Sequence, residues 1–340
     1  MSFNIRIDGT EVIFKSEPGQ SVLDAAEKHG LELPYSCRKG ICGNCKGRVL
    51  AGQLRTGTGG GSHESGINAA DEHLFCRAQA ASDLLIAPRS WQRIDPSARK
   101  VLTATVFRNQ RAASDVSMLH LRFPAGMRVK FKAGQYLQVV LPDGNRRSFS
   151  MANAPHESDS VQLHIRHMPN GGFTASTVPK LKPGDALRLE VPYGDFFLRE
   201  DSERPLLFVA GGTGFAPIKS IIDHVIRRNI QRPMTLFWGV RNPGGLYAQD
   251  VVSRWLRQRP SLRYEPVISD PVELSAWNGR RGLVHEQVLE CFQSVKDFDV
   301  YTSGAPVMVQ AVRTTLQDLR DLPPNQFFSD SFVTETQNTA

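Results

Sequence analysis

The spacing of hydrophobic and polar residues changes twice along the 340-residue chain and divides it into three segments. In the first segment, up to about residue 90, alternating residues predict strands on either side of the turn Asp8-Gly9. Ser21 is expected to begin a helix that ends at Gly30. This combination suits a β-grasp sheet. The predicted strands of this segment are 4–7, 11–14, 46–51 and 84–86.

The second segment begins after residues 91–99, which we predict to be a linker because Pro96 and several charged residues interrupt the pattern. Short β-patterned runs then alternate with turn sequences such as Pro142-Asp143-Gly144. That cadence is typical of an antiparallel barrel over residues 100–200. The predicted barrel strands are 100–107, 116–123, 136–141, 161–167 and 186–191.

From Leu206 onward, strands are predicted to alternate with helices, which indicates parallel βαβ units over residues 201–340. The first of these strands is a short apolar run, as expected where both faces of a sheet are covered. The predicted strands are 206–210, 235–240, 264–269, 299–302 and 327–328, and the predicted helices are 216–228, 285–294 and 307–319.

Composition limits the class of protein. The chain is too long for one ordinary core and indicates two or three domains. Hydrophobic residues make up 40% of the chain without a long apolar run, which indicates a globular protein with no membrane-spanning helix. No secretory signal is visible, which favours the cytoplasm. The net charge of +7 is spread along the sequence, so we expect no nucleic-acid binding, although a mildly basic face could meet an acidic partner protein.

Four of the five cysteines follow the spacing C-x4-C-x2-C…C of a plant-type [2Fe-2S] cluster. Gly40 and Gly43 allow the loop to turn around a cluster and to point its amides at the sulfurs. Zinc is the alternative, but a structural zinc site usually needs a second close cysteine pair or a histidine pair. The fifth cysteine, Cys291, is predicted to be a buried thiol on a helix. The expected metal ligands are Cys37, Cys42, Cys45 and Cys76.

A glycine-rich sequence follows the first strand of the third segment. Such a turn lets backbone amides and the positive end of a helix approach a pyrophosphate, and Pro217 marks the start of that helix. A plain tight turn would also explain the glycines. The candidate pyrophosphate-binding residues of this turn are Gly211, Gly212, Thr213 and Gly214.

Two motifs of the second segment could hold another phosphate-bearing cofactor. In Arg147-Ser148-Phe149-Ser150, at the end of a barrel strand, an arginine could pair with a phosphate while a hydroxyl faces a planar ring. An ordinary strand with a basic residue is the alternative. Residues 171–176 resemble a glycine-rich entry to a short helix that could hold the same pyrophosphate. A hairpin turn is the alternative there.

In this order, the motifs resemble those of ferredoxin–NADP+ reductase-like modules fused to an N-terminal plant-type ferredoxin, and the resemblance covers essentially the whole chain. Residues 33–40, 148–153 and 210–220 are similar to reductase components of two-component Rieske aromatic-ring dioxygenases, especially those for aromatic carboxylates such as terephthalate. The resemblance implies a multidomain fold with α+β and α/β parts. Its domains would be a β-grasp [2Fe-2S] ferredoxin (1–90), an antiparallel FAD-binding β-barrel (100–200) and a parallel-sheet NAD(P)H-binding domain (201–340).

The resemblance also implies roles for individual residues. Arg147 would meet the flavin phosphate, and Ser150 would lie near flavin N5, with Ser303 and Asp330 as further catalytic residues. Phe149 replaces the usual tyrosine, so that ring stacking is kept and a hydroxyl contact is lost. Ser303 replaces the usual cysteine and changes the packing expected against the nicotinamide. A frayed tail is the alternative for the C-terminal pair Asp330 and Phe332. The remaining cofactor-binding candidates are Gly172, Thr174, Ser176, Arg241 and Phe332.

A nicotinamide gives up two electrons as a hydride whereas a two-iron cluster accepts one, so a flavin is needed between them. The expected path runs from NADH or NADPH to FAD, then to the cluster, then to a terminal Rieske oxygenase. NADH is favoured, because similar reductases with an arginine at the position of Arg241 use it. Arg38 and Lys39 are candidate docking residues, with a solvated loop as the alternative. A reductase for a di-iron monooxygenase or a deoxysugar dehydrase, and a redox sensor without turnover, stay open as alternatives.

Overall fold

The computed structural model describes residues 2–56, 63–64, 72–94, 99–169, 171–270 and 277–332. The described residues form two compact units that meet in sequence between Ala98 and Arg99. Residues 95–98 of the predicted linker lie outside the described residues, and the exact domain boundaries stay predictions.

The first unit is built on a mixed sheet with the strand order β2-β1-β9-β4-β7. β1 pairs antiparallel with β2 and parallel with β9. Helix α1 (Val22–Lys28) begins as predicted, because the Ser21 hydroxyl accepts a hydrogen bond from the Asp24 amide at 3.1 Å. The predicted β-grasp fold is confirmed. The strands are β1 (Phe3–Ile7), β2 (Ile13–Ser16), β3 (Leu31–Glu32), β4 (Lys46–Ala51), β5 (Leu54–Thr56), β6 (His63–Glu64), β7 (Glu72–Leu74), β8 (Gln79–Ala80), β9 (Leu84–Pro88) and β10 (Gln92–Arg93).

The second unit begins with an antiparallel barrel whose strands follow the order β14-β13-β16-β11-β12-β15. The sheet curls until Met151, just after β14, forms a bridge with Leu163 of β15. Alternate residues of β11, β12, β13, β15 and β16 fill the apolar interior, and the partly buried Phe149 of β14 packs against it. The predicted barrel is therefore confirmed. Its strands are β11 (Lys100–Ala113), β12 (Val116–Arg122), β13 (Tyr136–Val140), β14 (Arg146–Ser150), β15 (Ser160–Arg166) and β16 (Ala186–Tyr193).

The rest of the second unit is a parallel sheet with the order β20-β19-β18-β17-β21-β22. The chain adds strands outward on one side of β17 and then returns to its other side at β21. In such sheets, ligands bind where the order reverses, at the carboxyl ends of the strands. The strands are β17 (Leu206–Gly211), β18 (Met234–Val240), β19 (Arg263–Ile268), β20 (Arg280–Arg281), β21 (Asp299–Gly304) and β22 (Phe327–Ser331), and the helices are α2 (Phe215–Arg227), α3 (Gln249–Gln258), α4 (Val284–Cys291) and α5 (Pro306–Leu319).

Among the α-helices of the described residues, α3 is the one that the sequence pattern did not reveal. Its buried residues are Val251, Val252 and Trp255, and no side chain caps its first turn, which follows Ala248. Periodicity needs several apolar residues and a capping residue to be visible. Tertiary packing of Trp255, which is completely buried, stabilises this helix instead.

Candidate functional site

The loop that carries three of the cysteines turns sharply at three positions. Arg38, Gly40 and Gly43 all have positive φ angles, of 55°, 81° and 73°. Glycine adopts this conformation without steric cost, which confirms the role expected for Gly40 and Gly43. The turns bring the amides of Lys39 and Cys42 to 3.3 and 3.4 Å from the Cys37 sulfur. The loop therefore already presents N–H donors to a sulfur atom, as a negatively charged cluster requires.

The four cysteine sulfurs form two pairs. Cys45 donates a hydrogen bond to Cys76 across 3.2 Å, and Cys42 donates to Cys37. Among the described residues, no three His, Cys, Asp or Glu side chains converge on a position for a single metal ion. Two separate thiol pairs suit two iron atoms, each needing two protein ligands in a [2Fe-2S] cluster. They do not suit one tetrahedral zinc ion.

Each pair contains one sulfur that favours the thiolate and one that holds a proton. The hydrogen bond from Cys42, helped by backbone N–H groups, lowers the pKa of Cys37 to about 5. The Cys45 thiol likewise lowers the pKa of Cys76. The same hydrogen bonds, together with burial, raise the pKa values of Cys42 and Cys45. Since all four must be thiolates when iron binds, cluster assembly releases the protons of Cys42 and Cys45.

The two basic residues of this loop have different surroundings. Arg38 forms salt bridges with Asp24, at 3.2 Å, and with Glu27, and its guanidinium lies 4.2 Å from the centre of the Tyr35 ring. These contacts tie the loop to α1. Arg38 thus helps to hold the loop in place, and a docking role for Arg38 and Lys39 stays a prediction.

The predicted flavin strand is β14. Its register with β13 places Arg147 opposite Val139 and Phe149 opposite Leu137, so these two side chains share one face of the strand. Ser150, which lies opposite Tyr136, is on the other face and is buried. The strand thus brings Arg147 and Phe149 together and separates them from Ser150.

The second flavin motif lies beside this strand. Residues Gly172–Thr177 form one turn of π-helix, so the predicted short helix is observed and the hairpin alternative is wrong. The ring of Phe173 lies 5.9 Å from that of Phe149. Within the turn, Thr174 accepts a hydrogen bond from the Met168 amide at 3.4 Å, and Ser176 donates to the Gly172 carbonyl. The two motifs thus share one part of the barrel.

The predicted dinucleotide turn lies at the reversal of strand order. The sheet needs glycine there, since a Cβ at Gly214 would lie 2.0 Å from the Ser303 carbonyl oxygen. A Cβ at Gly304, whose φ is 151°, would lie 3.1 Å from Gly211. Trp238 donates from Nε1 to the Gly212 carbonyl at 3.0 Å and fixes the turn from β18. The amides before α2 are therefore held against the end of β21.

Three predicted catalytic residues are close together at the carboxyl ends of the parallel strands. Ser150 donates to Asp330 Oδ2 at 2.9 Å, although the two residues are 180 positions apart. Asp330 is paired in register with Ser303 on the neighbouring parallel strand, so their side chains share a face. The Ser303 hydroxyl is completely buried and has no hydrogen-bond partner among the described residues. β14, which lies at one end of the barrel's strand order, is thus hydrogen-bonded to β22. Through β22 it is connected to β21, the strand beside the nucleotide turn.

Two other candidates lie at the margins of this end of the sheet. Phe332 follows β22, and its amide donates to the Gly304 carbonyl at 2.9 Å. The frayed-tail alternative is therefore wrong for both Asp330 and Phe332. Arg241 comes directly after β18 with an exposed side chain, and its carbonyl accepts a hydrogen bond from the Asp270 amide at 2.8 Å.

Sequence reasoning missed a group of buried polar residues between the barrel and α2. They include Asn153, His164, Lys219 and Ser220. His164 lies on β15 and shares a hydrogen bond of 3.0 Å between its Nδ1 and the hydroxyl of Tyr247, while its buried Nε2 has no hydrogen-bond partner in the described part of the chain. Burial first, and then the charge of Lys219, lower the pKa of His164 well below its usual value. Each of these residues is inconspicuous in its own segment, so no sequence signal reveals the group.

A loss of stability at acidic pH is the first testable consequence. Above pH of about 6.5, His164 is neutral in both folded and unfolded chains. Below this pH, His164 is protonated in the unfolded chain but stays neutral in the folded chain. The free energy of unfolding therefore falls by up to ~1.4 kcal/mol per pH unit. That corresponds to ~3 °C in melting temperature for a unit of this size. Melting curves between pH 7.5 and 5.5 test this.

The matched variant is His164→Asn, which can keep a hydrogen bond to Tyr247 but cannot be protonated. We expect its melting temperature to fall less than that of the wild type over the same pH range. Equal slopes for the two proteins would contradict the assignment of this pH dependence to His164.

Comparison with known proteins identifies a domain model for each part of the chain. The model described as a 2Fe-2S iron-sulfur cluster binding domain matches residues 5–81, that of an oxidoreductase FAD-binding domain matches 103–198, and that of an oxidoreductase NAD-binding domain matches 208–314. These matches agree with the cysteine loop, the β14 site and the glycine turn. The cofactors are thus a [2Fe-2S] cluster, FAD and a nicotinamide dinucleotide.

Relatives match over nearly the full length. Terephthalate 1,2-dioxygenase reductase component 1 of Comamonas sp. is 47% identical over 98% of both chains. The CDP-6-deoxy-L-threo-D-glycero-4-hexulose-3-dehydrase reductase of Yersinia pseudotuberculosis is 34% identical over 98% of this chain and 99% of its own. Among solved structures, the Amycolatopsis cytochrome P450 reductase GcoB covers 98% of this chain and 99% of its own, with a TM-score of 0.76 and 29% identity. Among the described residues, no helix is both long and apolar enough to cross a membrane.

Proposed function

Since the chain belongs to the family of [2Fe-2S] flavoprotein reductase components that includes the terephthalate 1,2-dioxygenase reductases, we propose that it supplies electrons to a terminal Rieske oxygenase. The oxygenase would act on an aromatic carboxylate such as terephthalate. The chain itself is an oxidoreductase dependent on NAD(P)H, FAD and the cluster. Full-length identity of 47% to a terephthalate reductase component, against 34% to a dehydrase reductase, is the observation that carries this choice of acceptor.

When bound, the nicotinamide supplies a hydride, and the flavin and the cluster convert its electron pair into single electrons. The residues of the chain contribute by positioning the cofactor sites relative to one another. Ser150 and Asp330 hold the end of β14 beside the glycine turn, and this contact would keep the flavin and nicotinamide sites adjacent. Buried Ser303 lies at the same end of the sheet. The loop amides of Lys39 and Cys42 stabilise negative charge on a cluster sulfur ligand.

The acceptor is tested by offering electrons from the reduced protein to purified candidates. We expect product formation with a terephthalate-type Rieske oxygenase, and slow or no turnover with a di-iron monooxygenase or with a deoxysugar dehydrase. Preferential turnover with either of the latter would reassign the acceptor. A flavin and cluster spectrum that stays oxidised with both NADH and NADPH would favour the redox-sensor alternative.

We expect NADH to be the better electron donor. An arginine after the second strand can pair with a 2′-phosphate, but the exposed Arg241 guanidinium would gain little from a pair screened by solvent. In line with the resemblance, we therefore predict a higher kcat/KM for NADH than for NADPH, where a ratio of ~10 would equal ~1.4 kcal/mol. Initial rates with each donor and ferricyanide as acceptor measure this ratio. Faster turnover with NADPH would contradict the prediction.

A further inference from the structure

Helix α2 contacts the backbone just beyond the predicted flavin strand. Lys219, in the second turn of the helix, donates from Nζ to the Ala152 carbonyl at 3.0 Å. The next residue, Ser220, donates to the Asn153 carbonyl at 2.6 Å. Ala152 and Asn153 are only two and three residues beyond Ser150 in the chain. The helix that begins at the nucleotide turn therefore also holds the end of the flavin strand.

The barrel holds the same segment from its other side. The amides of Met151 and Ala152 donate to the carbonyls of Gln135 and Gln162 at 3.0 and 2.8 Å. The side chain of Asn153 accepts from the Gln162 amide at 2.9 Å. The segment thus uses its N–H groups toward the barrel and two of its carbonyls toward α2. Its position relative to the nucleotide turn depends on the contacts with α2.

Lys219 makes these contacts as a buried ion. Its side chain is 8% exposed, and Asp223, one turn further along α2, lies 2.8 Å away. Asp223 also accepts a hydrogen bond from Trp255 of α3 at 2.7 Å. Burying an ion pair is rarely a favourable way to stabilise a fold, because desolvation offsets much of the attraction. The ammonium group has two partners here, because it pairs with the Asp223 carboxylate and also holds the Ala152 carbonyl at 3.0 Å. Replacing Lys219 alone therefore removes the contact with the flavin strand and leaves Asp223 without its lysine partner.

We propose that Lys219 is a positioning residue for hydride transfer, a role that rests on the proposed function. One end of α2 carries the turn expected to bind the dinucleotide, and its second turn fixes the strand end that carries Ser150. Lys219 therefore helps to set the separation between the two sites, together with the contact between Ser150 and Asp330. In the transfer, a hydride leaves the nicotinamide and is accepted by the flavin, so NADH becomes NAD+ and the flavin is reduced by two electrons. Lys219 neither gives nor takes a proton.

The test is Lys219→Met in the full chain with its cofactors. A displacement of about 1 Å can reduce a rate by about 10²-fold, so we expect flavin reduction by NADH, followed by stopped-flow absorbance, to slow by ~10- to 100-fold. The dissociation constant for NADH is obtained from the concentration dependence of that rate. It should change by less than ~3-fold, because the contacts that bind NADH equally in the ground state and the transition state are kept. In the protein without cofactors, hydrogen exchange at the amides of residues 151–153 should become faster.

Val225→Ala is the matched control, since Val225 is completely buried on the same helix but belongs to the apolar core of the parallel sheet, whereas Met151 belongs to that of the barrel. It should lower the melting temperature and leave the rate of flavin reduction within ~2-fold of the wild type, because it creates a cavity without moving the strand end. Ser220→Ala is a second probe, which removes the donor to the Asn153 carbonyl together with the acceptor of the Gly134 amide, and should slow the reaction in the same direction.

The outcomes separate the two levels of inference. If NADH and NADPH both fail to reduce the flavin of the wild type, the proposed function is wrong, and the role of Lys219 falls with it. If the wild type reacts and Lys219→Met reacts equally fast, only the positioning role is overturned. Equal slowing by Val225→Ala would overturn it too, as would unchanged amide exchange at residues 151–153. Should Lys219→Met fail to fold, a wild-type rate in Ser220→Ala would overturn the positioning role.

Discussion

Replacing Cys76 by serine is expected to remove the iron–sulfur cluster while leaving flavin reduction by NADH intact. Cys76 accepts the hydrogen bond from Cys45 across 3.2 Å, so the two form one of the two ligand pairs. Loss of a second-shell partner alone can cost up to ~100-fold in metal affinity, and loss of a ligand should cost more than that. We expect electron delivery to the oxygenase to slow by more than ~100-fold, because Cys45 alone cannot supply both thiolate ligands of its iron atom.

Three measurements separate this effect from general damage. Acid-labile sulfide and the low-temperature electron paramagnetic resonance signal of the reduced protein report the cluster. Stopped-flow absorbance reports the flavin, which should react at the wild-type rate because the matched FAD-binding domain lies in the other compact unit. Cys291→Ser is the control, since Cys291 is a partly exposed thiol at the end of α4. A Cys76→Ser protein with a full cluster, or a Cys291→Ser protein without one, would show that the ligand set is wrong.

The features that the sequence revealed best are local. The cysteine spacing is set by one loop and one distant residue, and the glycines at 40 and 43 are required by local φ angles. Ser21 was visible as a helix start because its own hydroxyl caps the first turn. Strands with regular alternation were located to within one to three residues at most ends. The clearest exception is β11, which continues to Ala113 because its bulges carry the pairing with β12 beyond the predicted end.

The features that the sequence could not reveal join distant parts of the chain. The contact between Ser150 and Asp330 spans 180 residues, and resemblance alone suggested that both lie beside the flavin. Lys219 lies within the motif of residues 210–220, yet nothing in that motif shows that its ammonium group donates to the Ala152 carbonyl. Cys291 was expected to be buried and is partly exposed. Tertiary packing decides each of these cases, whereas periodicity records only one element at a time.

The second large effect is expected at the nucleotide turn, from Gly214→Ala. The added methyl group would meet the Ser303 carbonyl oxygen at 2.0 Å. That atom belongs to the backbone of a central strand, so the contact can be relieved only by moving the turn away from β21. Overpacking of this kind costs ~1–3 kcal/mol of stability or more. A turn displaced by about 1 Å would lower kcat/KM for NADH by about 10²-fold.

Gly244→Ala provides a matched control for this substitution. Its Cβ would approach only the Asn242 side-chain oxygen, at an ordinary 3.4 Å, and its φ angle is outside the positive region. We expect this variant to keep the melting temperature and NADH kinetics of the wild type. The Gly214→Ala protein should retain its cluster spectrum, because the cysteines belong to the other unit. Normal NADH kinetics in Gly214→Ala would mean that binding of the dinucleotide does not depend on the close approach of the turn after β17 to β21. The nucleotide site would then have to be placed elsewhere on the sheet.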